Sequence, residues 1–401
     1  MWRSGEASKN KIMNKKITLS YPILVHSHLR WDWVWQRPQQ FLSRFSVHHP
    51  ILFVEEPSAL EGIPEPRAQL REVPDLPNLL VLSTYFPPEM MSNRALLDAR
   101  QKRLVQGVIA RQLPPIFERP VQWFYDPMAA KEFAGQMGEQ AIVYDCMDQL
   151  SQFRGAPPEL VRREAELLAK ADVVFAGGPK IHQAKRVFNA NCHSYGCGVD
   201  VEHFGRARAE ETVLPRELAE LSGPILGFFG VVDERMDYDL LSFLAAQRPD
   251  WNLVILGPTA KVDPHTLPQH PNLHWLGARD YKQLPAYVKG FDICMMPFAI
   301  NEATEFINPT KALEYMATGR PIISTPVEDV VLQFSEIVHV ASSHEEFLAA
   351  CQRNLSDPDH VRIKLGLSTA ADNTWEAIVA EMEEHIDTCL AERESSLKKA
   401  A

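Results

Sequence analysis

Asn308-Pro309-Thr310-Lys311-Ala312-Leu313-Glu314-Tyr315-Met316-Ala317-Thr318-Gly319-Arg320-Pro321 runs directly into Ile322-Ile323-Ser324. Asn308 suits an N-cap and Pro309 the first helical position, while Gly319 and Pro321 supply a stop, so the spacing predicts one framed helix. The short apolar run behind it predicts a buried strand. Helix followed at once by strand is the repeating half of a parallel α/β sheet. The start of such a helix is also an anion site, because free backbone N–H groups and the positive end of the dipole gather there. Lys311 adds a full charge in the first turn, and Glu314 lies three residues on, along the same face. Amides and a cation for a diphosphate, with a carboxylate one turn deeper to accept from ribose hydroxyls, make a nucleotide-shaped set. The same two side chains fit equally well as an ion pair on a solvated helix surface.

The strand-then-helix rhythm continues in both directions. In the second half Ile225 to Phe229, Leu253 to Leu256, Leu273 to Leu276, Ile293 to Met296, Ile322 to Ser324 and Ile337 to Val340 read as strands. In the first half Ile23 to Val25, Ile51 to Val54, Leu79 to Leu82, Val121 to Tyr125, Ala141 to Tyr144 and Val173 to Ala176 do the same, mostly apolar on both faces as a helix-covered sheet requires. Helical patterns at Gln36 to Phe45, Arg94 to Arg111 and Pro158 to Ala171 lie between them. The fold class is therefore α/β, with two doubly wound parallel-sheet domains of Rossmann-like type. Charge, Pro215 and Gly223 break the rhythm at 206–222, which predicts a linker between a first domain over 17–205 and a second over 223–370. Trp375, Ile378, Val379, Met382 and Ile386 recur at helical spacing, so 371–401 reads as a long amphipathic helix returning to the first domain.

Composition narrows the function. Of 401 residues 45% are hydrophobic and 23% charged, which excludes a disordered, collagen-like or coiled-coil chain. A net charge of -11 repels phosphate backbones, so no nucleic-acid partner is expected. The six cysteines are scattered, as buried thiols in a reducing compartment are. Cys192, His193 and Cys197 lie close together without a second ligand pair at zinc-site spacing, and His26 with His28 reads as core and loop histidines sooner than as a metal pair. No apolar stretch approaches the roughly 18 residues of a membrane span. Residues 1–16 carry Arg3, Lys9, Lys11, Lys15 and Lys16 without an apolar core, so they read as a disordered tail and not a secretion signal, and a cytoplasmic protein is expected.

Ligands of open parallel sheets bind beyond the carboxyl ends of the strands. Neither half carries G-x-G-x-x-G after its first strand, which disfavours a dinucleotide oxidoreductase. In the second half Gly230 opens the loop after the first strand, and Arg235 in that loop brings a second cation, a guanidinium, for a diphosphate. In the first half the residues after strands are Arg37, behind three tryptophans, Asp126 with Pro127, and Asp145 with Asp148. Each aspartate fits equally as a cap or a loop hydrogen-bonding group, and the tryptophans as packing. Arg94, Arg100, Lys102, Arg103 and Arg111 make the helix over 90–111 basic, either as an ordinary solvated side or as a face for anionic lipid.

Ala171-Asp172-Val173-Val174-Phe175, Gly198-Val199-Asp200 with Phe204, Gly230 with Arg235, Leu276-Gly277 with Asp292, and Glu314-Tyr315-Met316-Ala317 with Gly319 and Pro321 occur in the order in which family 4 of the retaining GT-B glycosyltransferases carries them. From Ile23 to Trp375 the chain resembles that family, and Trp33-Val34-Trp35-Gln36-Arg37-Pro38 with Phe53-Val54-Glu55-Glu56-Pro57 resembles its bacterial cell-envelope and exopolysaccharide branch, the teichuronic acid type included. The resemblance implies two Rossmann-like domains facing across a cleft and transfer of a sugar from a UDP- or GDP-linked donor to a glycan or lipid-linked acceptor. It implies no cofactor and no catalytic metal, and a place in the cytoplasm, at the inner face of the membrane if the acceptor is lipid-linked. Donor-binding positions carried over are Gly230, Arg235, Leu276, Arg279, Asn308, Thr310, Lys311 and Glu314; catalytic ones are Arg235, Lys311 and Asp145; acceptor-side ones are Arg37, Asp126 and Asp148. Glu314 matches the second glutamate of the family's E-x7-E motif, while the first falls at Phe306, with Glu302 and Glu305 nearby. The family's arginine directly after the loop glycine is Val231 here. These departures keep two other readings open: a nucleotide-sugar 2-epimerase of the same fold, and a non-catalytic nucleotide-sugar-binding subunit.

Overall fold

The computed structural model describes residues 20–153, 155–302, 304 and 310–400. The predicted tail at 1–16 and the predicted cap Asn308 lie outside the described residues, as do Glu305 and Phe306. The chain forms two compact units. One holds everything described up to Gly177, then Ile181–Tyr195 and Val379 onward; the other holds Gly178–Lys180 and Gly196–Ile378. Short helices at Val201–Gly205 and Arg216–Ala219 fall in the second unit.

The first unit is built on a sheet of β1 (Ile23–His26), β2 (Ile51–Val54), β3 (Ser58–Ala59), β4 (Arg67–Val73), β5 (Leu76–Phe86), β6 (Val121–Phe124), β7 (Ala141–Cys146), β8 (Val173–Ala176) and β9 (Cys192–Ser194). The order is β3-β5-β2-β1-β6-β7-β8-β9, with β4 beside β5. Every residue of β1, β2, β6, β7 and β8 is buried, which is why those strands read as apolar runs, broken only by His26 at the end of β1, Gln122 in β6 and Asp145 in β7. β4 pairs antiparallel with β5, and its sequence, Arg67-Ala68-Gln69-Leu70-Arg71-Glu72-Val73, keeps one side in solvent. A wet strand of that kind carries no apolar run, so the sequence shows only the middle of β5 and nothing of β4.

The second unit has β10 (Ile225–Phe229), β11 (Asn252–Leu256), β12 (Leu273–Gly277), β13 (Ile293–Met296), β14 (Ile322–Ser324) and β15 (His339–Val340), all parallel, in the order β12-β11-β10-β13-β14-β15. Strand order reverses between β1 and β6 in one sheet and between β10 and β13 in the other, so each has a crevice beyond the carboxyl ends there. Gly227, inside β10, is required by packing: a Cβ would stand 2.2 Å from the buried Phe291 ring.

The last helix, Trp375–Ala400, begins with Trp375 buried in the second unit, where a Cβ on Gly198 would stand 2.7 Å from its backbone. From Val379 it belongs to the first unit, burying Val379, Met382, Ile386 and Cys389 at helical spacing. His49 to Glu383 at 2.8 Å and Arg393 to Asp172 at 2.9 Å add polar ties there. The helix outruns the apolar positions that predict it because its last turns are polar. Among the described residues no helix is long and apolar enough to cross a membrane.

Candidate functional site

Glycines close three neighbouring strands at the crevice of the second unit: Gly230 after β10, Gly257 after β11 and Gly277 at the end of β12, with φ of +158°, +144° and +72°. Gly230 N–H donates to Leu256 O and Gly257 N–H to Gly277 O, both at 2.9 Å. A Cβ on Gly257 would lie 1.7 Å from Gly230 O, so no other residue fits this backbone. The result is a strand edge bare of side chains, which a phosphate can approach closely. Gly257 escapes the sequence reading although its signal is present, a glycine directly behind the apolar run Leu253 to Leu256.

The helix at Lys311–Thr318 ends as its sequence predicts, with Gly319 left-handed at φ +69°, but it starts at Lys311 with Thr310 in the cap position. Its register is set from β10, because Phe229 N–H donates to the buried Tyr315 hydroxyl at 3.0 Å. Lys311 therefore lies over the carboxyl end of β10. Its ammonium stands 4.8 Å from the Phe229 ring centroid, and a Cβ on Gly230 would be 3.5 Å from its stem. The ammonium donates to Glu314 Oε2 at 2.8 Å and to Thr310 Oγ1 at 3.0 Å, so among the described residues two of its three protons have partners. Glu314 is buried and the Lys311 side chain largely so, which takes the pair off a solvated helix side.

Arg235 sits in the loop opened by Gly230. Asp233, itself buried, receives its backbone N–H at 3.0 Å and its guanidinium at 2.7 to 3.1 Å, a fork that fixes the side chain's direction. Asp237 N–H to Pro297 O and Ala299 N–H to Arg235 O, each 2.8 Å, sew the loop to the chain leaving β13. Asp233 was not legible as a partner, since an acidic residue in an Asp-Glu-Arg loop reads as solvated charge. Each cation thus brings a carboxylate, and the set of Arg235, Lys311, Asp233 and Glu314 is balanced before a ligand arrives.

Leu276 is half-buried in β12. Arg279 behind it is held by structural partners: its guanidinium reaches Glu217 at 2.9 Å, the Tyr287 hydroxyl at 2.6 Å, and the carbonyls of Leu276 and Ala278. A side-chain role for Arg279 on the donor gives way to one in bracing the loop. Tyr281 stacks on His203 with ring centroids 4.2 Å apart, and His203 bonds Tyr281 O at 3.0 Å. Burial holds the His203 imidazole below its ordinary pKa.

In the first unit the structure joins two residues nominated separately. Arg37, at the start of the Arg37–Phe45 helix after β1, donates from Nε and Nη2 to Asp145 Oδ1 at 3.0 and 2.8 Å, and from Nη1 to Tyr195 O at 2.7 Å. Their side chains are 3% and 0% exposed. Asp145, expected as a catalytic group, forms half of a buried ion pair among the described residues, and Arg37, expected as an acceptor contact, is its partner. Burial pushes the Asp145 carboxyl up, against the pull of Arg37. Asp126 is buried and accepts Met128 N–H at 2.8 Å, a loop hydrogen bond; burial raises its pKa too, with His28 opposing. Asp148 is half-buried in the loop after β7.

His26 and His28 do not form a metal pair: His26 Nε2 bonds Gln122 Oε1 at 2.9 Å in the core, and His28 Nδ1 bonds Tyr125 O at 3.2 Å. Among the described residues no three His, Cys, Asp or Glu side chains are placed to hold a metal ion, and all six cysteines are free. Burial pushes the His26 pKa from 6.5 down to about 4, so the folded protein keeps the ring neutral while the unfolded chain charges it. This stabilisation is complete above pH 6.5 and is lost as the pH falls toward 4, about 3 kcal/mol in all. Urea unfolding across that window should show a shallower pH slope for His26→Leu than for the wild type; parallel slopes would overturn the assignment.

Residues 223–357 match the family described as glycosyl transferases group 1. The matched stretch lies within the second unit and takes in β10 to β15 and the Lys311–Thr318 helix. A relative from Bacillus subtilis (strain 168), named as the teichuronic acid biosynthesis glycosyltransferase TuaH, is 26% identical over 266 residues, covering 60% of this chain and 65% of its own length. Among solved structures, sucrose-phosphate synthase from Thermosynechococcus elongatus superposes with a TM-score of 0.68 at 18% identity, over 93% of this chain and 100% of that one. An E. coli trehalose-6-phosphate structure bound with UDP-2-fluoro glucose gives 0.66 at 14% identity, over 92% and 99%. At such identities the likeness establishes the fold, which is GT-B.

Proposed function

We propose that this glycosyltransferase moves a sugar from a UDP- or GDP-linked donor, with retention, to a glycan or lipid-linked acceptor in the making of a cell-envelope or extracellular polysaccharide. The observation that carries the reading is the Lys311 ammonium at the carboxyl end of β10, beside Gly230 and on the first turn of a helix pinned to Phe229. The hard part of the reaction is departure of the nucleoside diphosphate while the anomeric carbon turns cationic. Fixed positive charge at the leaving oxygens lowers that barrier most, because a held cation needs no reorganisation as charge develops. Lys311 supplies it, Arg235 adds a second charge from the Gly230 loop, and the glycine edge leaves room for the phosphates. Glu314 steadies Lys311 and presents a carboxylate to the ribose. No metal or other cofactor enters this scheme, since these two side chains provide the charge. The nucleotide sugar on the E. coli structure supports a UDP donor, and the relative's name supports an envelope product.

The Arg94–Gln112 helix buries Leu97, Val105, Val108 and Ile109 in its own unit and leaves Arg100, Arg103 and Arg111 exposed. That exposed charge supports an electrostatic contact with anionic headgroups at the inner face of the membrane, without apolar insertion. The donor assignment is tested by thermal denaturation with nucleotides. A ligand held at about 100 times its Kd stabilises the native state by about 2.7 kcal/mol, so UDP or GDP should raise Tm by about 5 to 10 °C. UMP and GMP should do far less. No shift with any nucleoside diphosphate would sink the assignment.

A further inference from the structure

A separate cavity of about 350 Å³ opens in the first unit, lined by Arg30, Asp32 and Trp33 after β1, Glu55 after β2, Arg71 on β4, and Tyr85 with Ser83 on β5. It lies at the carboxyl edge of the parallel strands, where ligands of such sheets bind, and its volume is at the small end of the roughly 300–1,000 Å³ of ligand pockets. Its floor is built and rigid. Glu55, 5% exposed at the side chain, accepts Trp31 N–H at 3.1 Å and the Ser83 hydroxyl at 2.6 Å, with Arg71 at 3.7 Å. Arg71 reaches forward to Asp32 at 2.6 Å, so the wet strand β4 exists here to hand a guanidinium to the pocket. The mouth is open: the Asp32 carboxylate is 72% exposed and Trp33 52%.

We propose that this pocket binds the acceptor, and that the ring it takes is an uncharged hexopyranose. The exposed Trp33 indole supplies a flat apolar face in a pocket that the half-buried Tyr85 also lines, while the Arg71–Asp32 pair places donors and an acceptor side by side, the arrangement that vicinal hydroxyls of a sugar satisfy. Arg30 and Arg71 against Asp32 and Glu55 leave no net charge, and Arg71 is already bridged between two carboxylates. A sugar acid would set its own carboxylate against Asp32 and Glu55, so neutral rings are preferred. Taking this sugar as acceptor rests on the transferase reading above; the binding itself does not.

Saturation-transfer NMR on the full-length protein with methyl glucoside, galactoside, mannoside and glucuronide tests it, with UDP as a separate probe. At least one neutral methyl hexoside should bind, and the glucuronide should bind about tenfold or more weakly, a difference of about 1.4 kcal/mol. Trp33→Ala, at an exposed position, should weaken the hexoside about tenfold, Trp33→Phe should restore most of it, and UDP binding should be unchanged in both. No hexoside binding, equal or tighter glucuronide binding, or unaltered affinity in Trp33→Ala would each overturn the pocket. Loss of UDP binding in the wild type would overturn the transferase reading instead.

Discussion

Lys311→Ala should lower kcat/KM for sugar transfer, or for donor hydrolysis without acceptor, by about 100- to 1,000-fold, the effect of removing one preorganised group from developing oxyanion charge at about 2.7 to 4 kcal/mol. Most of the loss should fall on kcat, because the charge on the leaving diphosphate grows toward the transition state. UDP or GDP affinity should fall as well, by a smaller factor, since the product already carries part of that charge. Two controls separate this from damage to the fold. Truncating Lys311 strands the buried Glu314, so the Lys311→Ala/Glu314→Gln double variant, which leaves no orphan carboxylate, should regain stability without regaining rate. Lys311→Arg should keep a measurable part of the rate, because it retains the charge while changing the reach. A kcat/KM within about threefold of wild type in Lys311→Ala would remove the ammonium from the leaving-group site and with it the observation on which the donor assignment stands.

Arg37→Ala should lower the free energy of unfolding by about 3 to 5 kcal/mol, the cost of leaving a buried carboxylate without its partner. Among the described residues the Asp145 side chain is 0% exposed. Replacing the pair together, Arg37→Met with Asp145→Leu, removes both charges and should recover most of the stability, since a buried ion pair is seldom better than well-packed apolar groups. The double variant also decides between roles. If it regains stability and sugar transfer together, the pair only braces the ends of β1 and β7. Transfer lost in a stably folded double variant would return Arg37 or Asp145 to the acceptor side, and a stability loss below about 1 kcal/mol in Arg37→Ala would mean the pair is wet.

The strands that pack helices on both faces were legible in the chain because burial on two sides leaves no room for polar residues, and Ile51 to Val54 or Val173 to Ala176 show it residue by residue. The helix carrying Lys311 was legible from its stop at Gly319, and its position against β10 was not, since that depends on one hydrogen bond to a tyrosine 86 residues from its partner. Asp233 and Asp145 show two ways in which acidic residues mislead. One reads as solvated loop charge and is buried against an arginine two positions on; the other reads as a cleft carboxylate and is sealed by an arginine 108 positions away. The pocket around Glu55 was invisible for a further reason: its arginine comes from β4, a strand without an apolar run.

By itself, then, the order of residues settled the layered α/β build, the pairs of strand and helix, and the presence of a cation on the first turn of a helix that stops at Gly319, because each follows from apolar periodicity and backbone chemistry within about a dozen residues. Which charges end up exposed, which are tied to one another, and which side chains share a cavity was decided only when distant strand ends were brought together. Desolvation and ion pairing act across space, and a linear pattern carries no record of the distances on which they depend.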